Sequence, residues 1–161
     1  MIINKEISLI QNDIRYTAEL AVETNIVQLN TTFGNFIKYG KFYFLVLKEI
    51  RLELEKIDTF ILLNGSRIDV HPSGMSLTST KAYANVMGKQ SGLENLVNIF
   101  DDCLDLSLIA TVREQEVYHS KWLVSLQKNK DDWNDRPPQA AAAIRFIYSK
   151  SPFGGGISVA K

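Results

Sequence analysis

Asp69, His71 and Ser73 are the residues of this sequence whose types could form a hydrolase triad. In such a triad the histidine takes a proton from the serine hydroxyl, and the aspartate orients the imidazole. The three residues lie within five positions, so strand alternation would put Asp69 and His71 on one face without positioning a nucleophile. The sequence also has no G-x-S-x-G turn. This spacing favours a polar strand end that leads into a turn at Pro72 over a catalytic centre.

A Cys–His nucleophile pair is a second possibility. It would use the only cysteine, Cys103, and the second histidine, His119. Neither has a local signature of such a pair, and a lone cysteine usually behaves as a small buried apolar residue. Two histidines at unrelated positions do not have the spacing of metal ligands. The glycines at 154–156 lack the strand and the Lys-Ser/Thr pair of a phosphate-binding loop. The sequence therefore predicts no catalytic residue, metal ligand or cofactor.

An acidic segment containing Asp101, Asp102 and Asp105 is the first candidate for partner binding. No basic residue lies between Lys89 and Arg113, so the sequence offers these carboxylates no nearby partner. Unpaired carboxylates repel one another, and a basic partner would relieve that repulsion. The alternative is a solvated helix end followed by a loop.

A second acidic run, residues 131–135, contains Trp133. Tryptophan is enriched among the residues that dominate binding energy at protein interfaces. Trp133 is therefore a further predicted partner-binding residue, although a loop is a less firm platform than a helix end.

Composition limits the class of protein. The 161 residues include 18 Lys and Arg against 18 Asp and Glu, and this zero net charge argues against direct nucleic-acid binding. The longest apolar run, residues 42–47, is far shorter than the ~20 residues of a membrane-spanning helix. A single cysteine and an N-terminus without a signal-peptide pattern predict a cytoplasmic protein with no membrane partner.

The first half of the chain is predicted to form mainly strands. Residues 14–22 and 26–29 alternate apolar and polar side chains around a turn at 23–25, whereas two glycines in residues 31–40 predict a loop. Residues 41–58 repeat apolar side chains at helical spacing, and Arg51 is expected on the outer face with Glu55. The predicted apolar stripe of this helix is Tyr43, Leu47, Ile50, Leu54 and Ile57.

Residues 59–70 carry a hairpin pattern around Asn64-Gly65, because this dipeptide tolerates the positive φ angles of a tight type I′ turn. Both faces of residues 59–63 are apolar, which predicts a central strand of the sheet. Four side chains are expected to be buried: Ile61, Leu63, Ile68 and Val70. A further strand is expected at residues 81–86.

The second half is predicted to be helical. Apolar residues between Leu93 and Phe100 suggest a short helix, and Thr111 with Glu114 has the spacing of a capping box for a longer one. Pro137-Pro138 would begin a third helix over residues 139–149. In the helix after Thr111, the predicted buried residues are Val117, Trp122, Leu123 and Leu126, and the predicted exposed ones are Arg113, Glu116, Ser120 and Lys121.

These elements predict an α+β fold, with an antiparallel sheet built mainly from the first half. The sheet would pack against one early helix and the helices of the second half. Residues 1–150 are expected to form a single domain, and residues 151–161 a flexible tail.

The segment from Leu63 to Met75, with Ala82-Tyr83, Met87-Gly88-Lys89 and the residues 96–101, resembles immunity proteins of bacterial contact-dependent growth inhibition and related polymorphic-toxin systems. The resemblance covers residues 63–101, about a quarter of the chain. It implies a non-enzymatic protein that binds one cognate toxin domain and blocks it. It assigns no functional residue, because the shared positions are typical of turns.

A toxin that cuts nucleic acid needs a basic surface, so an inhibitor of such a toxin needs concentrated acidic groups even at zero net charge. The alternative is a small hydrolase or ligand-binding domain that uses the region around His71. A non-enzymatic role predicts that His71→Ala leaves protection against the toxin intact.

Overall fold

The computed structural model describes residues 2–131, with side chains described through residue 127. It confirms the predicted α+β class. The chain forms a five-stranded and a three-stranded antiparallel sheet, together with two α-helices.

The five-stranded sheet has the order β4-β3-β2-β1-β5. Its strands are β1 (Ile3–Gln11), β2 (Ile14–Glu23), β3 (Ile26–Thr31), β4 (Gly34–Tyr39) and β5 (Thr59–Ile61). The strands predicted at 14–22 and 26–29 are confirmed as β2 and β3. The turn between β1 and β2 uses Asn12 and Asp13 at φ of 49° and 63°, the conformation that a two-residue hairpin requires.

The loop predicted at residues 31–40 is wrong for most of its length, because Gly34–Tyr39 forms the edge strand β4. Gly34 has a φ of 144°, which few side-chain-bearing residues adopt, and it begins this strand. An edge strand buries little, and only Phe36 of β4 packs against the core as a large side chain. The weak apolar alternation of this segment reflects that exposure.

Helix α1 (Tyr43–Glu55) lies within the predicted range of 41–58 and contacts β3, β4 and β5. Leu47, Ile50 and Leu54 are almost completely buried, which contributes about 1.5–3 kcal/mol for each side chain. Ile57 lies beyond the helix and is exposed, so its predicted place in the stripe is wrong. Arg51 is buried as well, so the predicted solvent-exposed position of Arg51 is also wrong.

The predicted hairpin over residues 59–70 is wrong. Strand β5 pairs with β1 at the edge of the larger sheet, and residues 64–66 form a 3-10 turn. Gly65 is required for close packing rather than for a hairpin, since a Cβ there would lie 2.6 Å from Cδ2 of Leu47. Ile61, Leu63 and Val70 are buried as predicted, whereas Ile68 is only half-buried.

The three-stranded sheet has the order β6-β7-β8. Its strands are β6 (Val70–His71), β7 (Lys81–Ala84) and β8 (Leu96–Asn98). The predicted strand at 81–86 is confirmed in part by β7. The predicted helix from Leu93 to Phe100 is wrong, because residues 93–95 make one 3-10 turn and β8 then pairs with β7. One hydrophobic core contains buried residues of both sheets, among them Leu9, Val70 and Ala82.

Helix α2 (Val112–Asp131) begins after the predicted capping box. The Glu114 carboxylate accepts a hydrogen bond from the Thr111 backbone N–H at 2.8 Å, and the Thr111 hydroxyl accepts one from the Glu114 N–H at 3.1 Å. The predicted exposure of Glu116 and Ser120 is wrong, because both are buried. The four side chains predicted to be buried are half-buried: Val117, Trp122, Leu123 and Leu126.

The third predicted helix, the Trp133 segment, the domain boundary at residue 150 and the tail at 151–161 lie outside the described residues.

Candidate functional site

The acidic loop, residues 101–106, is held by its buried neighbours and by the edge of the larger sheet. Phe100 and Cys103 are buried, and the Cys103 N–H donates to the Leu62 carbonyl at 2.9 Å. The Asn64 N–H donates to the carbonyl of Asp101 at 2.8 Å. The loop therefore lies along the outer side of β5 and the residues that follow it.

The three aspartates were expected to follow the end of a helix, and the structure shows that this expectation is wrong. They follow a strand and two buried residues, and the backbone hydrogen bonds to residues 62 and 64 fix the loop in place of a helix. All three aspartate side chains are exposed, as predicted for a partner-binding surface.

The surroundings of the aspartates differ. Asp102 forms an ion pair of 3.1 Å with Lys5, which also donates to the carbonyl of Phe100. Lys5 lies in β1, so the expectation that these carboxylates lack a base is wrong for Asp102. The carboxylate of Asp101 has no ion pair or hydrogen bond within residues 2–127.

The carboxylate of Asp105 holds the start of the next turn. It accepts hydrogen bonds from the hydroxyl and backbone N–H of Ser107, at 2.6 and 3.0 Å. These bonds lower the pKa of Asp105, with a smaller contribution from the charge of Arg67. Both hydrogen bonds therefore favour the ionised form of Asp105.

Leu104 is the apolar element of the acidic loop. Its side chain is 95% exposed, between Asp102 and Asp105 along the chain. Its buried neighbour Cys103 donates its thiol hydrogen to the carbonyl of Asp105, and burial raises the pKa of this thiol. Cys103 is thus a structural anchor that turns Leu104 towards solvent.

A second cluster joins β6, α1 and α2 below the surface. The rings of His71 and His119, here called the histidine stack, are nearly parallel at 9°, with centroids 3.6 Å apart. Trp122 lies on the far side of His119 at 5.6 Å, and Phe44 contacts His71 at 5.4 Å. Position 119 was a sequence candidate only as a partner of Cys103, and the structure stacks it on His71 instead.

The residues of a Ser-His-Asp triad form hydrogen bonds with other groups. Both carboxylate oxygens of Asp69 accept from Arg67, at 2.7 and 2.9 Å, and the Ser73 hydroxyl bonds to Ser76. Nδ1 of His71 lies 2.9 Å from the Pro72 carbonyl, which can only accept, so this nitrogen carries the proton. This arrangement matches the predicted polar strand end at Pro72.

Lys48 on α1 and Glu116 on α2 form an ion pair beside the stack. Both residues are buried, and Oε2 of Glu116 has no hydrogen-bond partner among the described residues. Burial lowers the pKa of Lys48 to about 7, helped by the charge of Arg51. Such a pair gains little over apolar residues of the same size, but breaking it is costly.

Arg51 and Gln115 form a hydrogen-bonded pair next to Lys48 and Glu116. The guanidinium donates to Oε1 of Gln115 at 2.6 Å and to the carbonyls of Gly65 and Ala110. Nε2 of Gln115 donates to the carbonyls of Gly65, Arg67 and Val70. Burial lowers the pKa of Arg51 to about 10, so the group stays charged near neutrality.

Sequence analysis missed this polar cluster because its residues look like a solvent-exposed face. One signal was present: Phe44, Lys48, Arg51 and Glu55 repeat at helical spacing beside the apolar stripe of α1. The corresponding positions of α2 are Gln115 and Glu116.

Within residues 2–131, no group of three or more His, Cys, Asp or Glu is arranged to hold a metal ion. Neither described helix has the length and apolarity needed to cross a membrane. The sequence matches no protein-family model and no curated protein.

Proposed function

We propose that this protein is a non-enzymatic immunity protein that binds a basic toxin domain in the cytoplasm and blocks it. The observation that carries this proposal is the acidic loop: Leu104 is almost fully exposed between aspartates on a backbone fixed by the sheet edge. The resemblance of residues 63–101 to immunity proteins of contact-dependent growth inhibition supports the same function.

The loop combines two features that favour association. Its aspartates attract a basic surface and raise the association rate. Leu104 supplies apolar area that a partner pocket can bury, and the fixed backbone reduces the entropy lost on binding. A toxin that acts on nucleic acid fits this chemistry, because its own substrate requires a basic surface.

Asp101 should contribute most of the electrostatic attraction. Asp102 is already partly neutralised by Lys5, and Asp105 is engaged with Ser107. Of the three aspartates, only Asp101 has a carboxylate without an ion pair or hydrogen bond to residues 2–127.

The experiment is co-purification with the C-terminal domain of the cognate toxin, followed by protection of cells that express that domain. We expect a stable complex and full protection. Absence of binding at micromolar concentrations of both proteins would contradict the proposed function.

The contact surface is tested by the triple variant Asp101→Lys, Asp102→Lys, Asp105→Lys. Association should become slower than for the unmodified protein, and the difference should shrink at high salt. The matched control reverses three exposed carboxylates of the larger sheet: Glu6→Lys, Glu19→Lys and Glu23→Lys. If both variants associate equally fast, the acidic loop is not the contact surface.

A single variant distinguishes the proposed function from the alternative, which is a hydrolase or ligand-binding domain around His71. His71→Ala should retain toxin binding and protection. A folded His71→Ala protein that has lost all function would favour the alternative.

A further inference from the structure

The histidine stack lies where α2 meets the rest of the protein. His71 belongs to β6 and His119 to α2, so the 3.6 Å contact between their rings is a contact between elements. These two residues are the only histidines in the chain. They are therefore the only side chains whose ordinary pKa lies between about 5 and 8.

Near the stack, α2 also forms hydrogen bonds to one short segment, residues 85–89. The Tyr118 hydroxyl donates to the Asn85 carbonyl at 2.8 Å, and the Trp122 indole N–H donates to the Lys89 carbonyl at 3.0 Å. The Ser125 hydroxyl accepts from the Gly88 N–H at 2.8 Å. Such hydrogen bonds are individually modest, because each replaces a hydrogen bond to water.

Charged groups face the stack from each element packed against it. Lys48 on α1 lies close enough to act on both rings, and Arg51 follows one helical turn later. Glu116 on α2 is the nearby acid, and it is engaged with Lys48. Before β6, Asp69 is neutralised by Arg67.

We propose that the histidine stack is an acid-sensitive latch, whose protonation in mildly acidic solution releases α2 from β6 and α1 while the five-stranded sheet stays folded. A proton on either ring would place an imidazolium 3.6 Å from the other ring and near the Lys48 ammonium. Both rings are also largely removed from water, which disfavours the charged form.

The direction of the effect follows from proton binding. Burial, with the charge of Lys48, lowers the pKa of His71 to about 4, against the hydrogen bond to Pro72; burial also lowers the pKa of His119. When α2 is released, both histidines return to an ordinary pKa of about 6.5. Below that value the released state binds more protons, so its population rises about tenfold per pH unit for each histidine.

One contact could oppose the latch. Nδ1 of His119 and Oε2 of Glu116 are both buried without hydrogen-bond partners in the described part of the chain. A protonated His119 that donated to Glu116 would instead hold α2 in place. Acidification would then leave the protection of α2 unchanged or raise it, which is the result that overturns the proposal.

The test is hydrogen exchange of the full chain, measured by mass spectrometry between about pH 7 and pH 5 and corrected for the intrinsic rate of exchange. Peptides within residues 112–127 should lose protection by about 10- to 100-fold per pH unit below about pH 6. Peptides of β1, β2 and β3 should remain more strongly protected than α2 at every pH, because the release of α2 leaves the sheet folded. Equal protection of α2 and the sheet throughout this range would mean that α2 opens only by global unfolding, and it would overturn the latch.

The matched variant is His71→Gln with His119→Gln, which removes both titrating rings. Below about pH 6, where Lys48 is already charged in the folded protein, the α2 protection of this variant should be independent of pH. Imidazole NMR titration of the unmodified protein gives a second measurement, which does not depend on the folding of this variant. Histidine signals that titrate near pH 6.5 in the folded protein would overturn the proposal.

Discussion

Helices α1 and α2 are attached to the same protein by different kinds of contact. Six of the eight buried residues of α1 are apolar, and the helix contacts β3, β4 and β5 of the five-stranded sheet. Three of the four buried side chains of α2 within residues 112–127 are polar: Gln115, Glu116 and Ser120. The first attachment depends on area removed from water, and the second on hydrogen bonds and a buried ion pair.

This difference has a consequence for specificity and for stability. Apolar contacts tolerate changes in pH and small changes in geometry, because they are not directional. Buried polar contacts lose free energy whenever a single partner is removed or changes its charge. The α2 attachment should therefore respond to single substitutions and to pH in ways that the α1 attachment does not.

The largest expected effect is that of Glu116→Leu, which leaves Lys48 buried without its carboxylate. We expect a loss of about 3–5 kcal/mol in the free energy of unfolding, measured by urea denaturation near neutral pH. Burial holds the pKa of Lys48 near 7 in the folded state against 10.5 when unfolded, so the unfolded state binds the extra proton between these values. Both proteins should gain stability with pH across this range. Removing the Glu116 carboxylate lowers the pKa of Lys48 further, so the variant also gains stability relative to the unmodified protein as the pH rises towards 7, and the penalty should be smaller at about pH 9 than at about pH 6.

The control for this variant is the double replacement Lys48→Met with Glu116→Leu. It removes both charges and keeps apolar volume, so most of the lost stability should return. A double variant as unstable as Glu116→Leu alone would show that shape, and not charge, governs this contact.

The helices and strands show which elements a sequence pattern can predict and which it cannot. The periodicity of α1 and the alternation of β2 and β3 predicted these elements, because each has one apolar face against the core. The capping box at Thr111 and Glu114 predicted where α2 begins. The buried face of α2 was not predictable from apolar spacing, since Glu116 is buried only because Lys48 arrives from another helix.

Residues 64–66 and 93–98 show why local signals fail. Asn64-Gly65 is typical of a hairpin, but Gly65 lies where α1 and Ile99 approach too closely for any side chain. The spacing of Leu93, Leu96 and Val97 fits a helix, yet pairing with β7 makes β8 a strand. Both outcomes depend on partners distant in the sequence.

Only part of the candidate site was predictable from the sequence. The exposure of the acidic loop followed from its composition, whereas the pairing of Asp102 with Lys5 depends on β1, which lies almost a hundred residues earlier. The stacking of His71 on His119 likewise requires the fold. Trp133 remains a predicted partner-binding residue outside the described part of the chain.

A second prediction concerns the apolar region. Leu29→Ala in β3 removes a completely buried side chain and should cost about 2–5 kcal/mol. The cost should be the same at about pH 7.5 and pH 5.5, because no titrating group is involved. Ile37→Ala, on the exposed edge strand β4, is the matched control and should change stability by no more than about 0.5 kcal/mol.

A third prediction uses the global stability of the unmodified protein. Burial lowers the folded-state pKa of His71 to about 4 and also lowers that of His119, so the stability they contribute is complete above about pH 6.5 and is lost as the pH falls. Each histidine should reduce the free energy of unfolding by at most about 1.4 kcal/mol per pH unit in this range. Urea denaturation at several pH values measures the slope. If the free energy of unfolding falls with pH as steeply in the His71→Gln, His119→Gln variant, the loss of stability comes from carboxylates and not from the histidines.

The smallest predicted effect concerns how the two helices begin. Phe42 gives α1 no side-chain cap, whereas Thr111 and Glu114 cap α2 reciprocally. A helix with a large apolar face is stabilised mainly by packing, but one attached by polar contacts depends more on its own end groups. Thr111→Ala should therefore cost about 1 kcal/mol, measured by urea denaturation, and α2 should lose hydrogen-exchange protection at its first turn. Thr78→Ala, at an exposed position outside both helices, is the matched control and should leave stability within about 0.5 kcal/mol. If Thr111→Ala is no more costly than Thr78→Ala, the attachment of α2 does not depend on its cap, and the polar cluster alone holds the helix start in place.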